Sequence, residues 1–205
     1  MTKHKAAELA ALKSRSRELI QQVYESREKA VVFGGGNPDA RLMLVGEAPG
    51  EQEALQGKPF VGKAGKNLDG FLTTLAITRE EIWITNVVKF RPVKVHPRTG
   101  SLSNRPPSRE EIELCFHILL NEIQIIQPKV VVTLGNVALK AVADDRRIVI
   151  GSCHGQPRET TLHGSRFVLF PLYHPASIIY NRELASVYEQ DLAALKAYLS
   201  TVKTY

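Results

Sequence analysis

Cysteine is nearly absent from this chain: its 205 residues carry two, Cys115 and Cys153. Two thiols exclude a disulfide framework and a four-thiolate metal site built from this chain alone. No apolar run approaches the roughly 20 residues needed to cross a bilayer, so no membrane partner is expected. Residues 1–13 are basic and helical in pattern without the apolar core of a signal peptide, and the expectation is a cytoplasmic protein with reduced thiols. Another absence is local. Between residues 85 and 109 there is no Asp or Glu, whereas Lys89, Arg91, Lys94, Arg98, Arg105 and Arg109 all fall there. A solvated loop usually mixes both signs. One-signed charge in a chain of net charge +6 and pI near 9.4 points to a phosphate-bearing partner.

With 43% hydrophobic residues the chain is not of the disordered class. Its length suits one domain with an appendage: an N-terminal helix over 1–30 packing on the body and a single domain over 31–205. Leu9, Leu12, Leu19, Ile20 and Val23 recur at helical spacing within 6–24. Short apolar runs at 41–45, 82–88, 129–134 and 166–173 read as buried strands. Helical patterns cover 65–75, 108–127, 136–143 and 184–199, and Ser108 with Glu111 has the spacing of a capping box. Residues 91–107 read as a long loop, and 146–164 as a turn-rich stretch with room for short strands. Strands separated by helices imply right-handed crossovers. The expected fold is therefore α/β, a three-layer α/β/α sandwich with a central four-stranded parallel sheet.

Apolar runs end in polar or glycine-containing segments of different chemistry: Gly46-Glu47-Ala48-Pro49-Gly50, Thr85-Asn86, Gly135-Asn136 and His174-Pro175-Ala176-Ser177. In an open α/β sheet, ligands bind beyond the carboxyl ends of the strands, so these segments would meet in one crevice. The run from Gly57 to Ala64 nearly matches a phosphate-cradling nucleotide loop. Ala64 lacks the hydroxyl that would hold magnesium, Pro59 removes an amide, and the preceding strand ends well upstream. Nucleotide hydrolysis is kept as a rival reading on this motif.

The longer block, Gly46 to Gly50, then Glu53, then Gly57 to Gly65, resembles the first signature of the uracil-DNA glycosylase superfamily, in its thermophile-type class, family 4. Thr85-Asn86-Val87-Val88-Lys89 resembles the segment that offers an asparagine to the base, and His174-Pro175-Ala176-Ser177 resembles the terminal histidine motif. The resemblance spans about residues 31–200 and implies a monofunctional repair enzyme that flips uracil out of DNA and hydrolyses its N-glycosidic bond. It further implies uracil-containing DNA as partner; no obligate protein partner is expected, and a monomer is the default expectation. Phe60 would stack on the base, Asn86 would read its edge, and His174 would donate to the uracil oxygen. Gly46, Ala48, Pro49 and Glu53 would line the same pocket. Taken singly, Phe60 reads as a core residue, Asn86 as a turn and His174 as a capped surface histidine; their conjunction favours the site.

Ala48 stands where other branches place an aspartate, which leaves Glu47 as the nearest carboxylate to position water. DNA contacts would come from Lys63, Lys66, Lys89, Arg91 and Arg105, with Ile178, Ile179, Tyr180 and Arg182 as an apolar tip and its rim. The equal alternative for Ile178 and Ile179 is packing beneath the last helix. Typical family 4 members hold an iron–sulfur cluster on four cysteines. Only Cys115 is kept here; the other positions fall near Leu19 and Gln22 and at Phe90, so no cluster and no other cofactor is expected, with Phe90 filling the space. A covalent-trapping branch uses a histidine in the 91–105 loop, where Asn104 stands in this chain and His96 lies nearby. The missing cluster and Ala48 also support a second rival, a DNA-binding relative with lost or altered base excision.

Overall fold

Residues 2–24, 29–180 and 183–202 are described by the structure, a computed structural model; the side chains of 178–180 lie outside that description. The chain opens with helix α1 (Thr2–Val23), whose Leu9, Leu12, Ser16 and Ile20 form the buried stripe that the helical spacing requires. This stripe packs on α4 (Arg109–Ile126). Lys5 Nζ ties the start of α1 to the end of α4 by donating to the Ile126 carbonyl at 2.8 Å. Ser108 caps α4 as its spacing predicts, accepting from the Glu111 amide at 3.3 Å while Glu111 Oε2 accepts from the Ser108 amide at 2.8 Å.

Four strands, β2 (Leu42–Gly46), β3 (Trp83–Asn86), β6 (Val130–Leu134) and β8 (Ser165–Leu172), pair in parallel in the order β3-β2-β6-β8. These are the expected four, but the sheet has six. β1 (Gly35–Gly36) adds antiparallel to β3 and β7 (Arg158–Leu162) adds antiparallel to β8. The extra edges escaped the apolar pattern because β1 is two glycines and β7 is mostly exposed and polar. β3 is also shorter than expected. Val87 and Val88 leave the ladder, yet their amides still bond to the Gly46 and Glu47 carbonyls at 2.9 and 3.0 Å.

Alternation along the strands makes the sandwich. Met43, Val45, Trp83 and Val131 face α1, α4 and α5 (Asn136–Ala143). Leu42, Leu44, Ile84, Val130 and Val132 face α3 (Lys63–Leu75) and α7 (Leu184–Thr201). Two short helices, α2 (Glu51–Gln56) and α6 (Pro175–Tyr180), follow the ends of β2 and β8. The region read as a loop carries a small separate hairpin, β4 (Val93–Val95) with β5 (Leu102–Asn104). Among the described residues no helix is long and apolar enough to cross a membrane.

Ile20 is fully buried beneath α1 whereas its neighbour Leu19 is 40% exposed. Ile20→Ala should therefore cost about 2–5 kcal/mol, read as a fall in the thermal midpoint of about 2–4 °C per kcal/mol for a chain of this size. Leu19→Ala should stay within about 0.5 kcal/mol.

Candidate active site

The carboxyl ends of β2 and β3 lie side by side because the parallel register pairs Gly46 with Asn86. A methyl group on Gly46 would collide with Asn86 Oδ1 and with Phe60 Cζ, so only glycine lets the ring edge and the amide approach this strand end together. Asn86 is 3% exposed, and its side-chain amide has no hydrogen bond to the described residues. A buried amide is ordinarily paired. This one opens onto a cleft of about 760 Å³ lined by Phe60, Asn86 and His174, with Lys63, Arg91 and Asn104 on its walls.

Phe60 holds φ +53°, a left-handed conformation uncommon for a bulky residue. It is pinned there from outside: Arg79 donates to the Phe60 carbonyl at 2.8 Å, and a side chain at Gly65 would strike that carbonyl. The ring stacks on His174 with centroids 6.3 Å apart and planes 26° apart. His174 follows β8, and its Nδ1 accepts the Ala176 amide at 3.1 Å. An accepting Nδ1 carries no proton, so a neutral ring presents Nε2–H as its donor. Burial lowers the pKa of this histidine and keeps the ring neutral.

Beside the cleft a smaller cavity of about 230 Å³ is shared by Glu47, Ala48, Pro49, Asn104 and His174. Burial pushes the Glu47 carboxyl above the usual glutamate range. Its backbone is fixed to the β3 side through the Val88 amide. Glu53 lines the cleft, is 8% exposed and also serves the loop itself. Its Oε1 accepts from the Val61 and Gly62 amides at 3.0 and 2.7 Å and its Oε2 from the Gly50 amide at 3.2 Å. The Val61 and Gly62 amides belong to the run that imitates a nucleotide loop. A fixed carboxylate on them repels phosphate, which removes the basis of the nucleotide-hydrolysis rival.

The basic residues separate into two groups. Lys63 and Lys66 are exposed on the first turn of α3. Arg91 bridges the cleft wall, donating Nε to Asn104 Oδ1 at 2.7 Å and Nη1 to Glu51 at 3.0 Å. Lys89 departs from its expected DNA contact: it is fully buried and paired with Glu122. Its Nζ also donates to Thr85 Oγ1 at 2.7 Å and to the Asn86 carbonyl at 2.6 Å, and Trp83 Nε1 donates to Glu122 at 3.2 Å. Arg105 likewise serves the fold, forming a two-pronged bond to Glu111 at 2.7 and 2.7 Å and a bond to the Val93 carbonyl at 3.0 Å. Glu122 was missed by sequence reasoning. Its signal was an acid on the same helical face as Cys115, Leu119 and Ile126, a face that must be buried. His96 lines neither cavity and accepts the Thr99 amide at 3.3 Å in the hairpin turn, whereas Asn104 lines both cavities. Arg182 and the side chains of Ile178, Ile179 and Tyr180 lie outside the described residues.

The cluster implied by the family 4 resemblance finds no ligand set. Phe90 is fully buried, Tyr24 packs edge-on against it at 5.1 Å between centroids, and Lys29 Nζ lies 4.9 and 5.0 Å from the two ring centres. Cys115 accepts the Lys89 amide at 3.5 Å, and burial pushes its thiol up, away from the thiolate that iron requires. Leu19 and Gln22 are exposed. One thiol beside an aromatic plug does not fit a cluster, and no group of three or more His, Cys, Asp or Glu among the described residues is placed to hold a metal ion.

An aromatic ring, an unpaired amide and a neutral imidazole around one cleft, at the strand ends of an open α/β sheet, define a protein that receives a planar heterocyclic base. The comparisons agree: residues 33–199 match the family model of the uracil DNA glycosylase superfamily, and the chain belongs to that superfamily. It is 39% identical over 171 residues to a Type-4 uracil-DNA glycosylase of Thermotoga maritima, covering 82% of this chain and 83% of that protein. The Type-4 uracil-DNA glycosylase of Saccharolobus solfataricus is 37% identical over 177 residues, 84% of this chain and 78% of its own. A Type-5 uracil-DNA glycosylase of Pyrobaculum aerophilum is similar at 28% over 166 residues, covering 71% of this chain and 66% of its own.

Lys89→Met should strand Glu122 in the core and cost about 3–5 kcal/mol, whereas Lys89→Met with Glu122→Leu should recover most of that loss. Urea denaturation midpoints for the two variants check this.

Proposed function

We propose that this protein removes uracil from DNA by drawing the extruded nucleotide into the cleft and hydrolysing its N-glycosidic bond, leaving an abasic site. The observation that carries the reading is the Asn86 amide, which has no hydrogen bond to the described residues and opens onto the cavity that Phe60 and a neutral His174 also line. A carboxamide offers a donor and an acceptor together. That matches the adjacent N–H and C=O of uracil, whereas cytosine presents a different pattern. The matched relatives named as Type-4 uracil-DNA glycosylases over most of this chain support the same substrate.

Bond cleavage leaves negative charge on the departing base and positive charge on the deoxyribose. His174 Nε2–H donates to the uracil oxygen as that charge develops, and donation from a fixed, buried group requires little reorganisation. Phe60 stacks on the base, and the Gly46 strand end admits it edge-on to Asn86. Glu47 holds the attacking water in the adjoining cavity, the role that Ala48 cannot take. Its ionised form also stabilises the sugar cation. Lys63, Lys66 and Arg91 meet phosphates at the rim, and the tip with Ile178, Ile179, Tyr180 and Arg182 wedges into the gap left by the base. The protein acts as a monomer, and the chemistry in this reading calls on no metal or organic cofactor.

Oligonucleotides carrying one uracil, hypoxanthine or thymine mismatch, incubated in EDTA and then cleaved with alkali, test the activity. Breaks at uracil are expected; binding without breaks would mean a relative that has lost excision. His174→Ala and Asn86→Ala should each slow excision by about 100- to 1000-fold with unchanged melting curves. For His174→Ala the loss should fall on kcat and not on KM.

The pH profile follows from the two shifted groups. Excision needs Glu47 ionised and His174 neutral. Glu47 loses its charge above its ordinary 4.5, and His174 stays neutral below its ordinary 6.5. The acid limb of kcat should therefore lie above 4.5, and Glu47→Gln should lower the plateau and abolish any part of the limb that Glu47 sets. A limb at or below 4.5 would contradict the assignment.

A further inference from the structure

The β4–β5 hairpin is a two-stranded ribbon outside the main sheet, in register Val93 with Asn104, Lys94 with Ser103 and Val95 with Leu102. Its base is held firmly. Arg105 joins it to Glu111 and to the Val93 carbonyl, and Arg91 joins Asn104 to Glu51. Beyond that base every residue from Lys94 to Asn104 is exposed.

Strand pleating settles which side chains share a face. Pairs two residues apart along a ribbon lie on the same side, so Val95 and Leu102 stand on the side of Asn104, and Lys94 with Ser103 on the other. Asn104 lines both active-site cavities, so its side is the one turned toward the cleft. Val95 and Leu102, each 54% exposed, therefore form a facing apolar pair roughly 7 Å outward from Asn104 along the cleft side. The hairpin carries no acidic residue, and Lys94 and Arg98 have no ion pair among the described residues. An apolar pair on an all-basic ribbon, continuous with a base-binding cleft, suits a nucleic acid better than a protein. A two-stranded ribbon also has the width of a DNA groove.

We propose that the β4–β5 hairpin is a DNA-docking ribbon: Val95 and Leu102 pack against the nucleotide flanking the extruded uracil, while Lys94 and Arg98 meet backbone phosphates. The proposal rests on uracil-containing DNA being the ligand. Apolar side chains set between or against bases cover the stack that the departed nucleotide opens.

The test uses the full chain and a uracil-containing duplex with 2-aminopurine next to the uracil. Binding is read by anisotropy and flank contact by 2-aminopurine fluorescence. Val95→Thr with Leu102→Thr puts β-branched strand formers at both positions but removes apolar area. Binding should weaken about tenfold and the fluorescence change should shrink, while kcat on a minimal uracil substrate without flanking nucleotides stays at the wild-type value. Lys94→Gln with Arg98→Gln should reduce the slope of log affinity against log salt by about two. Unaltered affinity, fluorescence and salt slope in both variants would overturn the proposal. So would an equal loss on the minimal substrate, or a change in sedimentation showing that the pair instead contacts a second copy. Wild-type protein that binds the duplex without cutting at uracil would refute excision, while the anisotropy and fluorescence arms would still decide the hairpin's role.

Discussion

The parallel pairing of Gly46 with Asn86 is the constraint on which the site depends. It places a residue without a side chain directly beside an amide, and a third element, the turn at Phe60, closes over both. Much else in the region maintains this arrangement. Arg79 holds the Phe60 carbonyl, Glu53 gathers the amides of the turn, and the Val87 and Val88 amides keep the segment after β3 against the segment after β2. The geometry of the cleft is thus set by hydrogen bonds to the main chain, some of them from the Arg79 and Glu53 side chains, and by one close approach, and the reactive side chains are mounted on that frame.

Charge has a larger internal role than a basic composition first implies. Lys89 is enclosed with Glu122 and supports the Asn86 carbonyl, and the half-buried Arg105 pairs with the buried Glu111 at the foot of the hairpin. A buried ion pair adds little to stability compared with apolar residues of similar volume; its contribution here is directional, because Nζ reaches three oxygens from Thr85, Asn86 and Glu122. Among the exposed cations, Lys63 lines the cleft and Lys94 and Arg98 stand on its ribbon.

Legibility in the sequence followed burial. The four central strands were readable because their apolar runs are buried on both faces, and α4 because Ser108 and Glu111 cap each other. Phe60, Asn86 and His174 were readable as a set through motif order, and they do share one cleft. The β4–β5 strands were not readable: three residues each, mixed in polarity, they leave no periodic signal. The fate of Lys89 was also hidden, because its partner lies 33 positions away on α4 and an acid there looks like one more helical residue. Glu53 lines the cleft, and its second task, holding the amides of its own loop, was not legible. Nothing in sequence spacing distinguishes a carboxylate facing solvent from one consumed by the amides of its own loop.

The packing of Tyr24 on Phe90 beside Cys115 joins the end of the first helix to the segment that follows β3. Both rings belong to the chain itself, so the cohesion of this corner is that of aromatic packing and rises or falls with the seating of α1.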